Sequence, residues 1–370
     1  MDEQATFNHP LQTFPEHLIR MGWTSHFQTA LEELPSPCTP ARVIGGCKNS
    51  FLVNQGTTPF SVAPAATLEY TPEGIQPVVG DWVVVKDEII TSVLERRNIL
   101  VRGAAGSKHK QKTGQVKEQI MAANIDTVFI VCGLDRDFNL RRLERYLTLV
   151  YNCGLTPAIV LTKADLEQHP QQRADEVEAI TFGVPVHLIS AHEENGVSAL
   201  DGYLAPGQTV TLIGSSGAGK STLINRLYGA DLQATGAVSK RVGKGRHTTT
   251  TRDLITLPSG GMVIDNPGMR EITFSDDHGA LDTTFPEIEF LTRSCRFADC
   301  SHTHEPGCQV LDGVASGQIP RERLDSYLKM QRELAFFANK EQKSAPQIEK
   351  ETWKGVSLKI KAMKKGKKKG

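Results

Sequence analysis

Residues 214–221 read GSSGAGKS, and the residue types in that run suit chemistry on a polyphosphate. Gly214, Gly217 and Gly219 have no Cβ, so the backbone between them can curl until its amides meet phosphate oxygens. Ser215, Ser216 and Ala218 lie in the same loop. The apolar run TVTLI precedes it and STLINRLYG follows, so a strand feeds a loop that opens a helix. The helix N-terminus then adds its own unpaired amides and partial positive charge. Lys220 supplies a full charge for the β and γ phosphates, and the Ser221 hydroxyl a ligand for Mg²⁺, with Thr222 beside it. This is the pattern of a nucleoside-triphosphate site.

The base is read from a second segment. TKAD at 162–165 follows another apolar run, PAIVLT. The Asp165 carboxylate can accept two hydrogen bonds from the N1 and N2 donors of guanine, a pair that adenine does not offer. The Lys163 stem can cover the base plane, and Thr162 and Ala164 complete the loop. Ser190 and Ala191, at the end of the next apolar run, can supply a backbone contact to the base oxygen. DNPG at 265–268 closes the run GMVID; it offers Asp265 toward Mg²⁺ and the Gly268 amide as a sensor of the γ-phosphate. Together these favour GTP over ATP.

A third group serves a different chemistry. Of seven cysteines, Cys295, Cys300 and Cys308 fall within fourteen residues, with His302 and His304 between them. Three thiolates and one imidazole make a closed tetrahedral site of the structural zinc type, with no position open for catalysis. The spacing leaves His302 and His304 as competing fourth ligands. Cys38, Cys47, Cys132 and Cys153 are scattered, and an odd total argues against a disulfide framework.

Elements of several kinds must position these groups in a chain of 370 residues, long enough for two or three domains. Residues 1–36 hold one or two short amphipathic helices ending at a Pro-rich stretch. From 37 to 102 short β segments (ARVIG, SFLVN, PFSVA, GDWVVV, IITSVLE) are punctuated by Gly, Pro and Asn. Such a texture suits a small five-stranded barrel of the OB-fold type. Residues 103–118, GAAGSKHKQKTGQVKE, are a basic, apolar-poor linker loop. From 119 to 280 continuous apolar strands alternate with helical stretches, the signature of a buried, mostly parallel α/β sheet. Residues 281–345 are mostly helical and carry the Cys/His cluster. Residues 346–370 form a Lys-rich tail.

Formal charge is balanced, with 42 basic and 42 acidic side chains. The last eighteen residues nevertheless hold eight lysines and no acid, so the preceding body is acidic. A basic tail on an acidic body suits a polyanionic partner. No apolar run approaches the roughly 20 residues needed to span a bilayer, and the N-terminus lacks a secretory pattern. A cytoplasmic, membrane-independent monomer is the expectation.

The motifs stand in an unusual order: TKAD, then SA at 190–191, then GSSGAGKS, the threonine run 248–251 and DNPG. This resembles GTPases with circularly permuted motifs, in which old termini are joined and the chain is cut elsewhere without disturbing the sheet. The cut sends the segment after DNPG directly into the C-terminal region. The barrel texture, GKGRHTTTTRDL, DNPG and CRFADCSHTHEPGC, together with AANIDTVFIV and DFNLRRLERYL, narrow the resemblance to the ribosome small-subunit-dependent GTPase A family (RsgA), over roughly residues 40–335.

What that resemblance implies is specific. His302 is the fourth ligand of one structural Zn²⁺. Thr250 binds the Mg²⁺ that accompanies GTP, with Thr249 and Thr251 as alternatives in the same run. Met269 stands where many GTPases place a water-orienting glutamine, so unaided hydrolysis is slow, and His247 is the proposed catalytic substitute. Thr162 stands where the guanine motif more often has Asn. The implied activity is GTP hydrolysis on the small ribosomal subunit, as an assembly checkpoint. GTP and GDP are the implied ligands, and the barrel, basic loop and tail grip ribosomal RNA. Two readings compete: a P-loop phosphotransferase, and an RNA-binding module with a purely structural nucleotide site. Both fit the paired TKAD and DNPG motifs and the intact Lys220 and Ser221 less well.

Overall fold

The computed structural model describes residues 14–35, 38–47, 50–66, 68, 75–102, 119–190, 193, 196–229, 252–265 and 279–342. The basic loop 103–118, the Lys-rich tail, Ala191, His247, Thr250 and Gly268 lie outside these described residues.

Five strands, β1 (Thr39–Cys47), β2 (Ser50–Asn54), β3 (Phe60–Pro64), β4 (Trp82–Lys86) and β5 (Ile89–Val93), pair in the order β1-β2-β3-β5-β4, and β4 returns to β1. The sheet therefore closes on itself with no free edge, the ring connectivity expected of an OB-type barrel. Ala41, Val43, Val53, Val62, Val83 and Ile90 fill its interior. The two N-terminal helices, α1 (Glu16–Ile19) and α2 (Ser25–Glu32), cap one side of this barrel. Trp23 meets Trp82 edge-on with ring centroids 4.7 Å apart, and Phe27 lies 5.9 Å from the same ring. Aromatic pairs in this range add to the gain from burial alone, which explains why so short a helical segment holds its place.

Next come β6 (Ile99–Arg102) and β7 (Gln119–Ala123), which pair with each other. The second large sheet follows: β8 (Thr127–Gly133), β9 (Pro157–Thr162), β10 (Val186–Leu188), β11 (Thr209–Ile213), β12 (Asp253–Thr256) and β13 (Met262–Asp265). Its order is β10-β9-β8-β11-β13-β12, parallel throughout except at the β12 edge. Every residue of β8, β9 and β11 is buried. This is why these strands read as unbroken apolar runs rather than as alternation. The helices α3 (Leu140–Asn152) and α4 (Pro170–Thr181) connect the parallel strands β8 to β9 and β9 to β10, and α5 (Lys220–Tyr228) follows β11.

The two sheets are continuous. Gly45 of β1 pairs with Asp253 of β12, and a Cβ on Gly45 would lie 3.0 Å from the Asp253 carboxylate. Behind this seam sits Arg42, 1% exposed. Its guanidinium donates to the carbonyl of Met21, to Thr209 Oγ1 at 2.8 Å, to Asn124 O at 3.3 Å and to Gly80 O at 3.4 Å. One buried side chain thus ties the N-terminal helices, the barrel and the second sheet together. Burial lowers its pKa to about 10, so the charge stays but at a cost that these acceptors offset.

The chain closes with α6 (Gly279–Thr284), α7 (Pro286–Thr292), α8 (Gln309–Ala315) and the long α9 (Arg321–Gln342). They dock on α3 through Arg323, which is 5% exposed and donates to Glu144, Glu287 and the Thr284 carbonyl, each at 2.7 Å. Among the described residues no helix is long and apolar enough to cross a membrane.

Candidate nucleotide site and metal cluster

The loops that follow β8, β9, β10 and β11 emerge at the C-terminal edge of the parallel sheet, where open α/β folds bind ligands, and β13 ends at the same edge with Asp265. The central one is the loop 214–219. Gly214 leaves β11 at φ 146°, and a Cβ there would lie 2.2 Å from the Val131 carbonyl. Gly217 and Gly219 take φ 86° and 94°, so the turn depends on their freedom. Gly219 then precedes the first residue of α5, whose N-terminus faces the cup. Lys220 folds back over the loop, its Nζ 2.7 Å from Gly214 O and 2.5 Å from Ser215 O. Ser216, Ser221 and Thr222 are exposed on the same rim, and Ala218 is fully buried beneath it.

The loop after β9 clasps this cup from the side. Thr162, 4% exposed, donates from its hydroxyl to Ala218 O at 2.6 Å. The side chain that stands in place of Asn therefore still ties the loop 162–165 to the loop 214–219. Lys163, held at φ 60°, reaches Gly217 O at 2.6 Å and Asp135 at 2.7 Å. Asp165 is exposed, and the buried Ser190 hydroxyl donates to its Oδ1 at 3.0 Å. That bond orients the carboxylate while leaving it open to a ligand. The Ala164 amide bonds Ile189 O at 3.2 Å, which locks the two loops together. Asp265 stands at the end of β13, beside β11. Within the described residues, then, the elements predicted to read phosphate, base and metal converge on one edge.

Two acids here were not singled out from the sequence. Asp135 bonds Lys163, which holds the Asp135 carboxyl below its usual range. Asp137 engages the Ser215 hydroxyl, Arg142 and the Gly133 amide. The signal was present in DRDF, directly after a buried strand end, but its value depends on which loop faces it.

The cysteine cluster lies among α7, α8 and α9. Cys295 Sγ is 3.9 Å from Cys308 Sγ and 3.7 Å from His302 Nδ1, and His302 Nδ1 is 3.4 Å from Cys308 Sγ. The four candidate ligand atoms, Cys300 included, all lie within 4.8 Å of one another. Metal–sulfur bonds of about 2.3 Å in a tetrahedron put ligand atoms just under 4 Å apart, so the donor set fits one small metal ion. His302 and Cys308 are 5% and 1% exposed, and burial lowers the His302 pKa, which favours the neutral, ligating imidazole. His304, by contrast, is exposed and bonds Thr303. The intervening turn is shaped by Glu305, which accepts from the amides of Ser301, Thr303 and His304 at 3.1–3.2 Å. Together with the Ser301 hydroxyl, the largest cause, these donors hold its carboxyl far below the ordinary range.

Fold and site define a class: a P-loop nucleotide-binding core with its motifs circularly permuted, joined to an N-terminal barrel and a C-terminal helical unit carrying a Cys₃His cluster. Comparison with known proteins gives the family. A family model described as RsgA GTPase matches residues 93–275. The small ribosomal subunit biogenesis GTPase RsgA of Methanosarcina acetivorans is 45% identical over 298 residues, spanning 79% of each chain. That of Opitutus terrae is 41% identical over 359 residues, spanning 92% of this chain and 95% of its own. Among solved structures, YjeQ from Thermotoga maritima superposes with TM-score 0.58 at 26% identity, over 81% of this chain and 99% of that one. YloQ, a circularly permuted GTPase, shares the fold at TM-score 0.56 and 22% identity, over 81% of this chain and 96% of its own. The chain belongs to the RsgA GTPase family and is a GTP-hydrolysing enzyme.

Proposed function

We propose that this protein binds the small ribosomal subunit in its GTP form, hydrolyses GTP there and then leaves, acting as a late checkpoint in subunit assembly. The observation that carries the reading is one of connectivity. Asp265 ends β13 beside the phosphate loop, and α6 of the C-terminal helices begins only at Gly279. The segment that senses the γ-phosphate is thus covalently continuous with a unit clamped onto α3 by Arg323. A change of nucleotide can pull directly on those helices. The names of the relatives, all small-subunit biogenesis GTPases, support the choice of partner.

In this reading Asp165, oriented by Ser190, accepts from guanine, while Lys163 covers the base and Ala191 contacts its oxygen. Residues 214–222 hold the phosphates, with Lys220 neutralising the β and γ groups. Ser221, Asp265 and Thr250 are the residues that would hold Mg²⁺, which would supply charge stabilisation when bound. Gly268 senses the γ-phosphate. Met269 cannot orient water, so His247, positioned by the ribosome, takes that task. Zn²⁺ is the metal that suits Cys295, Cys300, His302 and Cys308, and its role is to hold the helical unit together. The barrel, the basic loop and the lysine tail grip ribosomal RNA. A cytoplasmic monomer fits that task.

Co-sedimentation with purified small subunits tests this. The chain should pellet with them in a non-hydrolysable GTP analogue and stay in solution with GDP or with the matching ATP analogue. Equal pelleting in all three conditions would overturn the reading.

A further inference from the structure

We propose that Asp137 is a positioning residue for the phosphate loop, acting through the Ser215 hydroxyl. The inference rests on the reading of residues 214–222 as the phosphate site and extends it to a residue outside that motif. Asp137 follows β8, nearly eighty positions before the loop it touches. Its Oδ1 accepts both the Ser215 hydroxyl and Arg142 Nη1, and its Oδ2 accepts the Gly133 amide at 3.2 Å. The side chain is 12% exposed, so water competes poorly for these bonds.

Three features make the contact more than a surface ion pair. First, it falls at the point where the loop needs help. Gly214 leaves the strand at φ 146°, and a segment so rich in glycine has many shapes open to it unless something selects one. Second, the anchor is itself anchored. Arg142 is in the first turn of α3, where its amide is capped by Asn139 Oδ1 at 3.0 Å. Two residues on, Glu144 of the same helix meets Arg323. Asp137 is therefore fixed to a helix that the C-terminal unit also holds. Third, the proton count assigns a role. A serine hydroxyl has one proton, and Ser215 gives it to Asp137. Ser215 therefore meets the nucleotide through its backbone, not by donating from its side chain. Arg142 offsets the negative charge that this arrangement places behind an anion site.

The neighbouring Asp135 acts in parallel on the base loop through Lys163, so one short turn after β8 braces both halves of the site. A loop already shaped before the ligand arrives binds more tightly because less ordering remains to be done. The phosphate loop contacts the ground state and the transition state alike, so the loss on removing the brace should fall on Kd and KM more than on kcat.

The test is a double-mutant cycle on the full chain, read by equilibrium binding of fluorescently labelled GDP. Asp137→Ala and Ser215→Ala should each weaken binding about ten-fold, the scale of one hydrogen bond to a charged acceptor. The double variant should be no weaker than the poorer single one. Asp137→Asn keeps an acceptor for the Ser215 proton but sets an NH2 against the Gly133 amide and removes the charge facing Arg142, so it should restore part of the affinity lost in Asp137→Ala. That rescue separates positioning from a folding defect, as does Ser215→Ala, which removes one small hydroxyl. Unchanged binding in Asp137→Ala, or losses that multiply in the double variant, would overturn the inference alone. If the wild-type chain binds no guanine nucleotide, the proposed function falls and this inference with it.

Discussion

Replacing Arg323 with Met should be among the most destabilising single changes in the chain, and changing its partner as well should relieve much of the damage. The guanidinium is 5% exposed and makes three bonds of 2.7 Å, to Glu144, Glu287 and the Thr284 carbonyl, with the Phe285 ring 4.3 Å away. Glu144 is only 3% exposed, bonds the guanidinium through Oε1, and among the described residues its buried Oε2 has no hydrogen-bond partner. Taking away the arginine therefore leaves a buried carboxylate with no counter-charge, a loss of roughly 3–5 kcal/mol. Glu287, whose side chain is 25% exposed, can turn to water and adds little. In Arg323→Met with Glu144→Leu neither charge is buried, and about half or more of the loss should return, since well-packed apolar replacements of buried pairs come close to neutral. Urea unfolding followed by circular dichroism, with the slope m held constant across the variants, gives both numbers. A single variant within about 1 kcal/mol of wild type, or a double variant as unstable as the single, would refute this account of how the C-terminal helices are held.

Two further changes probe the nucleotide site and one the cysteine cluster. Asp165→Asn exchanges an acceptor for a donor, so GDP affinity should fall about 100-fold, the scale of two charge-assisted bonds. Xanthosine diphosphate, which has a carbonyl where guanine has N2, should bind the variant better than GDP does in competition binding. Gly214→Ala puts a Cβ where the Val131 carbonyl stands 2.2 Å away, at φ 146°; nucleotide binding should be lost in titration calorimetry while the circular dichroism spectrum persists. Elemental analysis should find one zinc per chain, and a strong chelator should lower the melting temperature of wild type. Cys308→Ser removes a ligand that is 1% exposed, and this variant should melt low with or without chelator.

Legibility in the sequence followed the physics of each element. The five barrel segments and the strands β8, β9, β11 and β13 were readable because burial on one face or both writes itself into alternation or into unbroken apolar runs. The phosphate loop was readable because its glycines, lysine and serine are needed at fixed offsets. Strand β12, DLIT, was missed because four residues at a sheet edge carry too short a pattern. Pairing of β6 with β7 spans sixteen intervening residues, and nothing local announces it. Arg42 reads as a solvent-facing charge in a barrel strand; only the docking of the second sheet turns it into a buried tie. Thr162 stands where the guanine motif more often has Asn, and its hydroxyl reaches Ala218 O, a contact that depends on two loops meeting. Asp137 opens the stretch DFNLRRLERYL and Asp135 stands two residues before it, but only the fold turns the two acids toward Ser215 and Lys163.

Ribosome-activated GTP hydrolysis can be read from phosphate release, followed with GTP and with ATP, in the presence and absence of purified small ribosomal subunits. Release from GTP alone should be slow and strongly stimulated by subunits, with no comparable response to ATP, and the stimulation should be lost in His247→Ala. Stimulation that survives in that variant would remove His247 from the mechanism and leave the rest standing. Hydrolysis indifferent to subunits, or equal with ATP, would contradict the account.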